Sequence, residues 1–110
     1  MKHVYLIQLE GTNIYKIGYT KSNPQKRIES LQTGNPFKLI LIDSYTTKRA
    51  TKVEAALHNR YRINKVDEDE YKLLGEWFQF DNNMVKNFKS TCELIDNNFK
   101  IIEEMSTLDN

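Results

Sequence analysis

The stretch Asn13-Ile14-Tyr15-Lys16-Ile17-Gly18-Tyr19-Thr20 decides how this chain folds, with Val4-Tyr5-Leu6-Ile7 as its partner. Both runs are rich in β-branched and aromatic residues, which suit a pleated, half-buried surface, and Glu10-Gly11-Thr12-Asn13 between them supplies turn formers. The pattern predicts an N-terminal β-hairpin. Gly18 lies near the end of the second strand, where a missing side chain marks a bulge or a close approach by another backbone or a ligand. A binding surface is expected to begin there.

Downstream, Lys21-Ser22-Asn23-Pro24 reads as a helix start, with Asn23 as cap and Pro24 preformed for the first helical position. Ile28 and Leu31 share one face of this short helix, and Gly34 is placed to end it. Arg27 then sits about 100° around from the buried stripe, at the rim of the core beside the hairpin. Residues 37–45 read as a third strand whose apolar run suits a central, buried position. Residues 47–62 read as a second helix, with Ala50, Val53, Leu57 and Tyr61 at spacings of three or four. Glu54 adjoins the buried stripe, again at the rim, and His58 follows one turn later on the same face. Asp67-Glu68-Asp69-Glu70 repel one another and suggest a solvated loop or frayed end. Glu76-Trp77-Phe78-Gln79-Phe80 is an aromatic, strand-like segment. Asp81 or a neighbouring Asn caps a last helix running to about Met105. Val85, Phe88, Cys92, Ile95, Phe99 and Ile102 recur along it at spacings of three and four, a stripe that either packs on its own domain or pairs with a second copy through residues 85–102.

A chain of 110 residues encloses one modest core, and its aromatic content argues against disorder. The longest apolar run, Leu39-Ile40-Leu41-Ile42, is far too short to span a bilayer, and the N-terminus has no signal-like core. With one cysteine, no intramolecular disulfide can form, which suits a reducing compartment. A soluble protein of the cytoplasm is expected, with no membrane partner. The net charge of +1 conceals an asymmetry: residues 1–65 carry twelve Lys or Arg against four acids, and residues 66–110 carry four Lys against eleven acids. A basic front and an acidic rear would suit a face for a polyanion, although small domains often carry uneven charge. One Cys and two separated His residues are too few for a zinc site.

The motif residues resemble the GIY-YIG nuclease superfamily. His3-Val4-Tyr5 stands at the first motif, Lys16-Ile17-Gly18 at the second, and Arg27 and Glu54 follow in the family's order, over roughly residues 3–80. The form Tyr-Lys-Ile-Gly-Tyr-Thr, with a later Glu-Trp-Phe, resembles a branch of small phage and bacterial proteins within it. The resemblance implies an α/β (α+β) fold: a small mixed, mainly antiparallel three-stranded sheet flanked by helices. It assigns residues 1–82 to the nuclease domain and 83–105 to a C-terminal helix. It also implies hydrolysis of DNA phosphodiesters in a bacterial or phage-infected cell. Glu54 would hold Mg²⁺ or Mn²⁺ and Arg27 would clamp the transition state.

Those assignments are chemically coherent, since one carboxylate suffices for a Mg²⁺ that keeps waters and takes phosphate oxygens, and the Arg fork matches two phosphate oxygens. The family's second-motif Tyr, commonly the base, is Lys16 here, and the polar residue expected a turn after the Arg is Leu31. Tyr5 is then the foremost candidate base, with Tyr15 and Tyr19 as alternatives. Lys16 could lower the Tyr5 pKa, bind phosphate, or itself act as base once buried. His58 is an auxiliary candidate, better read as packed or hydrogen-bonded than as a Mg²⁺ ligand. Lys21, Lys26, Lys48, Arg49, Lys52, Arg60, Arg62 and Lys65 are candidate phosphate contacts on DNA. A non-catalytic nucleic-acid-binding module is the rival function, and a small dimerising interaction protein a third.

Overall fold

The computed structural model describes residues 1–71, 73 and 75–108. The hairpin forms as β1 (Lys2–Leu9) and β2 (Ile14–Thr20), antiparallel with Tyr5 opposite Gly18. The chain continues through α1 (Pro24–Gln32), β3 (Leu39–Thr47), α2 (Ala50–Arg60), a 3-10 turn (Arg62–Asn64), α3 (Glu68–Tyr71), β4 (Trp77–Gln79), α4 (Asn82–Lys86) and α5 (Phe88–Leu108). The sheet order is β3-β1-β2-β4, and every pairing is antiparallel. Asn23 caps α1 by accepting from the Gln25 N–H at 2.8 Å, and Gly34 follows the helix with φ +81.

Both faces of the sheet are covered. Val4, Leu6, Tyr15 and Ile17 pack with Val53 and Leu57 of α2 and Phe88 and Cys92 of α5. Tyr5, Ile7, Leu9 and Ile14 pack the other way, with Ile28 of α1, Leu73 and Trp77. Hence Val4-Tyr5-Leu6-Ile7 is a continuous apolar run, each residue no more than 2 % exposed, as expected of a strand buried on two sides.

That central position belongs to β1, whereas the sequence suggested it for the third strand. β3 lies at the sheet edge, shifted two residues later than 37–45, and leaves Ile42 partly exposed. Both strands carry short apolar runs, and periodicity does not say which one has neighbours on both sides. Among the described residues four strands form rather than three, because Trp77–Gln79 pairs with β2, and no parallel pair makes the sheet mixed. α2 starts at Ala50 rather than Thr47, which stays in β3 with its hydroxyl accepting from the Arg49 N–H. The acidic run forms a single helical turn, Glu68–Tyr71, with Asp67 accepting from the Asp69 N–H at its start. The last helix is divided at Asn87: Asp81 caps α4 through the Met84 N–H, and α5 then runs to Leu108.

α5 docks through Phe88, Cys92 and Ile95, and polar contacts fix its angle. Arg49 donates to Asp96 at 3.1 Å and forks onto both carboxylate oxygens of Glu103, while the Tyr45 hydroxyl donates to Asp96 at 2.8 Å. Ile101, Ile102 and Met105, toward the end of the helix, are between 52 % and 58 % exposed, so the apolar stripe of the sequence runs from the buried Phe88 and Cys92 to an outlying Ile102. Among the described residues no helix is long and apolar enough to cross a membrane.

Burial pushes the Asp96 carboxyl upward, but hydrogen bonds from Thr47, Tyr45 and Arg49 outweigh it and hold the group below its ordinary value of 3.8. A carboxyl lowered in the folded state stabilises well above the unfolded value and loses that contribution as pH falls through the folded one. Asp96→Ala strands three donors and should lower the unfolding free energy by about 1–3 kcal/mol at neutral pH. Urea titrations of wild type and variant should converge as the pH drops below 3.8. Burial, with the Asp43 and Asp96 charges, pushes the Cys92 thiol up to about 12. A disulfide reagent should therefore label Cys92 only as fast as α5 undocks, and rapid labelling of the native chain would contradict this docking.

Candidate active site

β4 pairs with β2 only from Ile14 to Lys16, and past that point the outer edge of β2 carries no strand. An exposed ladder edge presents carbonyl and N–H groups that need partners. α2 supplies them. His58 donates from Nε2 to the Ile17 carbonyl at 2.8 Å, and the Glu54 carboxylate accepts from the Tyr19 N–H. The i, i+4 spacing of Glu54 and His58 thus clips one helix face along the open edge.

On the other face of the sheet, the Tyr5 side chain lies across Gly18. A Cβ at Gly18 would overlap the Tyr5 hydroxyl, Cζ and Cε1, so glycine is required here by close approach rather than by backbone angle. α1 brings Arg27 to the same place, where it hydrogen-bonds the Tyr5 hydroxyl. Lys16 extends from β2 with its Nζ 5.3 Å from the Trp77 ring centroid and directly over Gly75. Gly75 has φ +84, a backbone conformation that favours glycine, and a Cβ there would lie 2.6 Å from that nitrogen, so Lys16 would have to shift.

These groups line one cleft of about 570 Å³. It gathers Tyr5, Lys16, Gly18, Tyr19, Lys21, Lys26, Arg27, Glu54 and His58, nine positions of interest in the sequence. The remainder lie elsewhere. Tyr15 faces the opposite side of β2 and stacks on Phe80 in the core, centroids 5.7 Å apart. Arg49 is engaged with Asp96 and Glu103, Lys52 approaches Glu103 at 3.8 Å and covers the Phe99 ring, and Lys48 adds its charge near Glu103. Arg60 lies against the Tyr61 ring, and Arg62 donates to the Asn59 carbonyl.

Glu76, Thr20, Ser22 and Ser30 also line the cleft. Their roles were not legible in the sequence, although Glu76 directly precedes the buried Trp77 and so had to stand at an element boundary. Ser30, three residues after Arg27, supplies the polar side chain on α1 that Leu31 cannot. Glu76 accepts from His58 Nδ1 at 2.5 Å and from Lys65 at 3.2 Å. Both His58 nitrogens therefore face acceptors.

The electrostatics set three groups of the cleft apart. Burial raises the Tyr5 hydroxyl above its ordinary value; hydrogen bonding and charge from Arg27 oppose this, and the Glu54 charge adds to it. Burial also raises the Glu54 carboxyl, against the His58 and Lys16 charges, with Glu76 pushing in the same direction as burial. Hydrogen bonds from His58 and then Lys65 lower Glu76. A half-buried carboxylate that its surroundings disfavour, with a second carboxylate in the same cleft, is a place where an added cation relieves both penalties. Among the described residues no three His, Cys, Asp or Glu side chains gather about one point, and the carboxylate oxygens that face the cleft are those of Glu54 and Glu76, the donor type a hard cation takes. The donors fit a hard divalent ion.

Gly18→Ala should cost about 1–3 kcal/mol through overpacking against Tyr5. In a Tyr5→Ala background the same substitution should cost little, and a double-mutant cycle by chemical denaturation reads the difference. Additive costs would mean that the two side chains do not compete for this space.

Neither a curated protein nor a solved structure matches the chain. A family model does: the T5orf172 domain, matched over residues 2–93, which takes in the whole sheet, both cleft-forming helices and the start of α5. That span contains every residue lining the cleft. The chain belongs to the T5orf172 domain family, a domain of phage-associated, nuclease-like proteins.

Proposed function

We propose that this protein is a metal-dependent endonuclease that hydrolyses DNA phosphodiester bonds in the manner of GIY-YIG nucleases. The observation that carries this function is the meeting of Arg27 and Glu54. They stand on helices packed against opposite faces of the sheet, yet both line one cleft with Tyr5 and Lys16. Two independent helices converging an arginine fork and a carboxylate is the arrangement phosphoryl chemistry needs, and packing alone does not call for it.

Glu54 is the residue that would hold Mg²⁺ or Mn²⁺, with Glu76 facing the same space. When bound, such an ion supplies Lewis acidity toward the phosphoryl oxygens and favours ionisation of water. Arg27 clamps two non-bridging oxygens, and its charge grows in value as negative charge accumulates there in the transition state. Tyr5, held over Gly18 and bonded to Arg27, takes the proton of the attacking water through its ionised phenolate oxygen and returns to the neutral hydroxyl. Lys16, close to Glu54 in charge and braced by Trp77 and Gly75, offsets the carboxylates and binds phosphate. The phosphorus–oxygen bond to the leaving strand breaks, and the departing oxygen is protonated from solvent.

DNA is held by Lys21, Lys26 and Arg27 around the cleft, through phosphates and without base readout. Arg49 and Lys52, already paired with α5, contribute little. Binding without cleavage is the second reading, and it draws on the burial of Tyr5, which raises its hydroxyl above the ordinary 10.0 and leaves little phenolate at neutral pH.

Cleavage of supercoiled plasmid and of labelled single-stranded DNA, with Mg²⁺ or Mn²⁺, separates the two. Arg27→Ala should reduce turnover about 10²–10³-fold, and Glu54→Gln at least as much, with DNA binding measured in parallel. Unchanged cleavage in both variants rejects this site, and tight binding with no cleavage under either metal rejects the enzyme. If Tyr5 is the base, the fraction ionised rises tenfold per pH unit below its pKa, so the rate should climb with pH without levelling below 10.0. Tyr5→Phe should remove that slope.

A further inference from the structure

A second hollow of about 220 Å³ opens beside the cleft. Leu31, Leu73 and Trp77 form its apolar walls, and Thr33, Gly34 and Asn35 form a polar rim. Lys16 and Ser30 border both spaces. The two are arranged along α1: Arg27 faces the cleft, and the step to Ser30 and Leu31 is one helical turn, about 5 Å. The rim is anchored to the sheet. Gln32 donates to the Phe37 carbonyl and accepts from the Leu39 N–H, both at 2.8 Å, which ties the loop after α1 to the start of β3.

The chemistry of the pair is specific. A site for an anion, bordered by Arg27 and Lys16, leads over one turn of helix into an aromatic-walled space with polar groups at its edge. A nucleotide has that same order of parts: phosphate, a short sugar spacer, then a flat ring with hydrogen-bonding edges. A hollow of this volume admits a single ring system and no stacked or paired neighbour.

We propose that this hollow receives the base of the nucleotide whose phosphate occupies the cleft, with the ring against Leu31, Leu73 and the edge of Trp77 and its polar edge toward Thr33 and Asn35. The preferred substrate is then nucleic acid with an unstacked nucleotide, single-stranded or locally opened, because a base held in an intact duplex does not reach the hollow. This rests on the cleft being a phosphate site, as in the proposed function, and does not require that cleavage occur.

Trp77 is the single tryptophan, so its indole N–H gives one NMR resonance for the hollow. The full chain is titrated with deoxyadenosine monophosphate and deoxycytidine monophosphate, and separately with deoxyribose phosphate, which keeps sugar and phosphate but has no base. A saturable shift of the Trp77 resonance is expected with the nucleotides, and about tenfold weaker binding with the sugar phosphate. Thr33→Phe, at an exposed rim position, fills the hollow and should abolish the shift. Leu31→Ala removes a wall and should weaken it, and serves if Thr33→Phe does not fold. Equal response to the sugar phosphate, no response at saturating nucleotide, or a shift that survives Thr33→Phe overturns the proposal. A chain that binds nucleotide here and cuts no DNA rejects the enzyme alone. One that cuts DNA without engaging Trp77 rejects the hollow alone.

Discussion

The bonds between α2 and the bare edge of β2 hold the site together. β4 is only three residues long, so the Ile17 carbonyl and the Tyr19 N–H face outward with no strand to meet them. Left unpaired in a half-buried setting they would each cost about 1–3 kcal/mol. His58 and Glu54 remove that cost, and in doing so draw one face of α2 against the sheet's rim. The carboxylate that satisfies a backbone donor is thereby carried round the edge to the side where α1 presents Arg27. A longer β4 would have closed the sheet and separated the two helices.

Glycine at two positions makes room for the same assembly. Gly18 lets the Tyr5 ring cross β2, and Gly75 lets Lys16 lie close to the backbone before Trp77. At Gly18 the function of the residue is an absence, because any other side chain displaces the Tyr5 ring; at Gly75 the positive φ is the constraint, because the flexible end of Lys16 shifts at little cost. Preorganisation of this kind is what electrostatic catalysis needs, since charges that are already placed need not reorganise as the reaction proceeds.

Charge is also divided by the fold. The basic surplus of residues 1–65 does not form one continuous face, because Arg49 and Lys52 are drawn toward Asp96 and Glu103 on α5. Those contacts fix the C-terminal helix to α2 and β3. Lys65 turns to Glu76, and Glu76 in turn holds His58. What stays directed at the cleft is a smaller group, Lys16, Lys21, Lys26 and Arg27, opposed by two carboxylates. An anion entering there meets a localised field rather than a broad basic surface, which favours a defined position for it.

The sequence by itself determined the local pieces. β-Branched and aromatic runs with turn residues between them specify the hairpin, Asn23 and Pro24 specify the start of α1, and the spacing of Val53, Glu54 and His58 places an acid and an imidazole together on a helix rim, because all of these act over a few residues. Alternation along β2 already separates Tyr15 from Gly18 by face, so the burial of Tyr15 against Phe80 was in principle readable. Only the tertiary structure decided that β1 rather than β3 is central, that Arg49 pairs 47 residues away with Asp96, and that Glu76 reaches His58 across 18. Apolar runs of equal length do not reveal their neighbours, and a charged side chain carries no local mark of its partner. Which helix covers which face, and which sheet edge is left open, follows from how the whole chain buries its apolar surface.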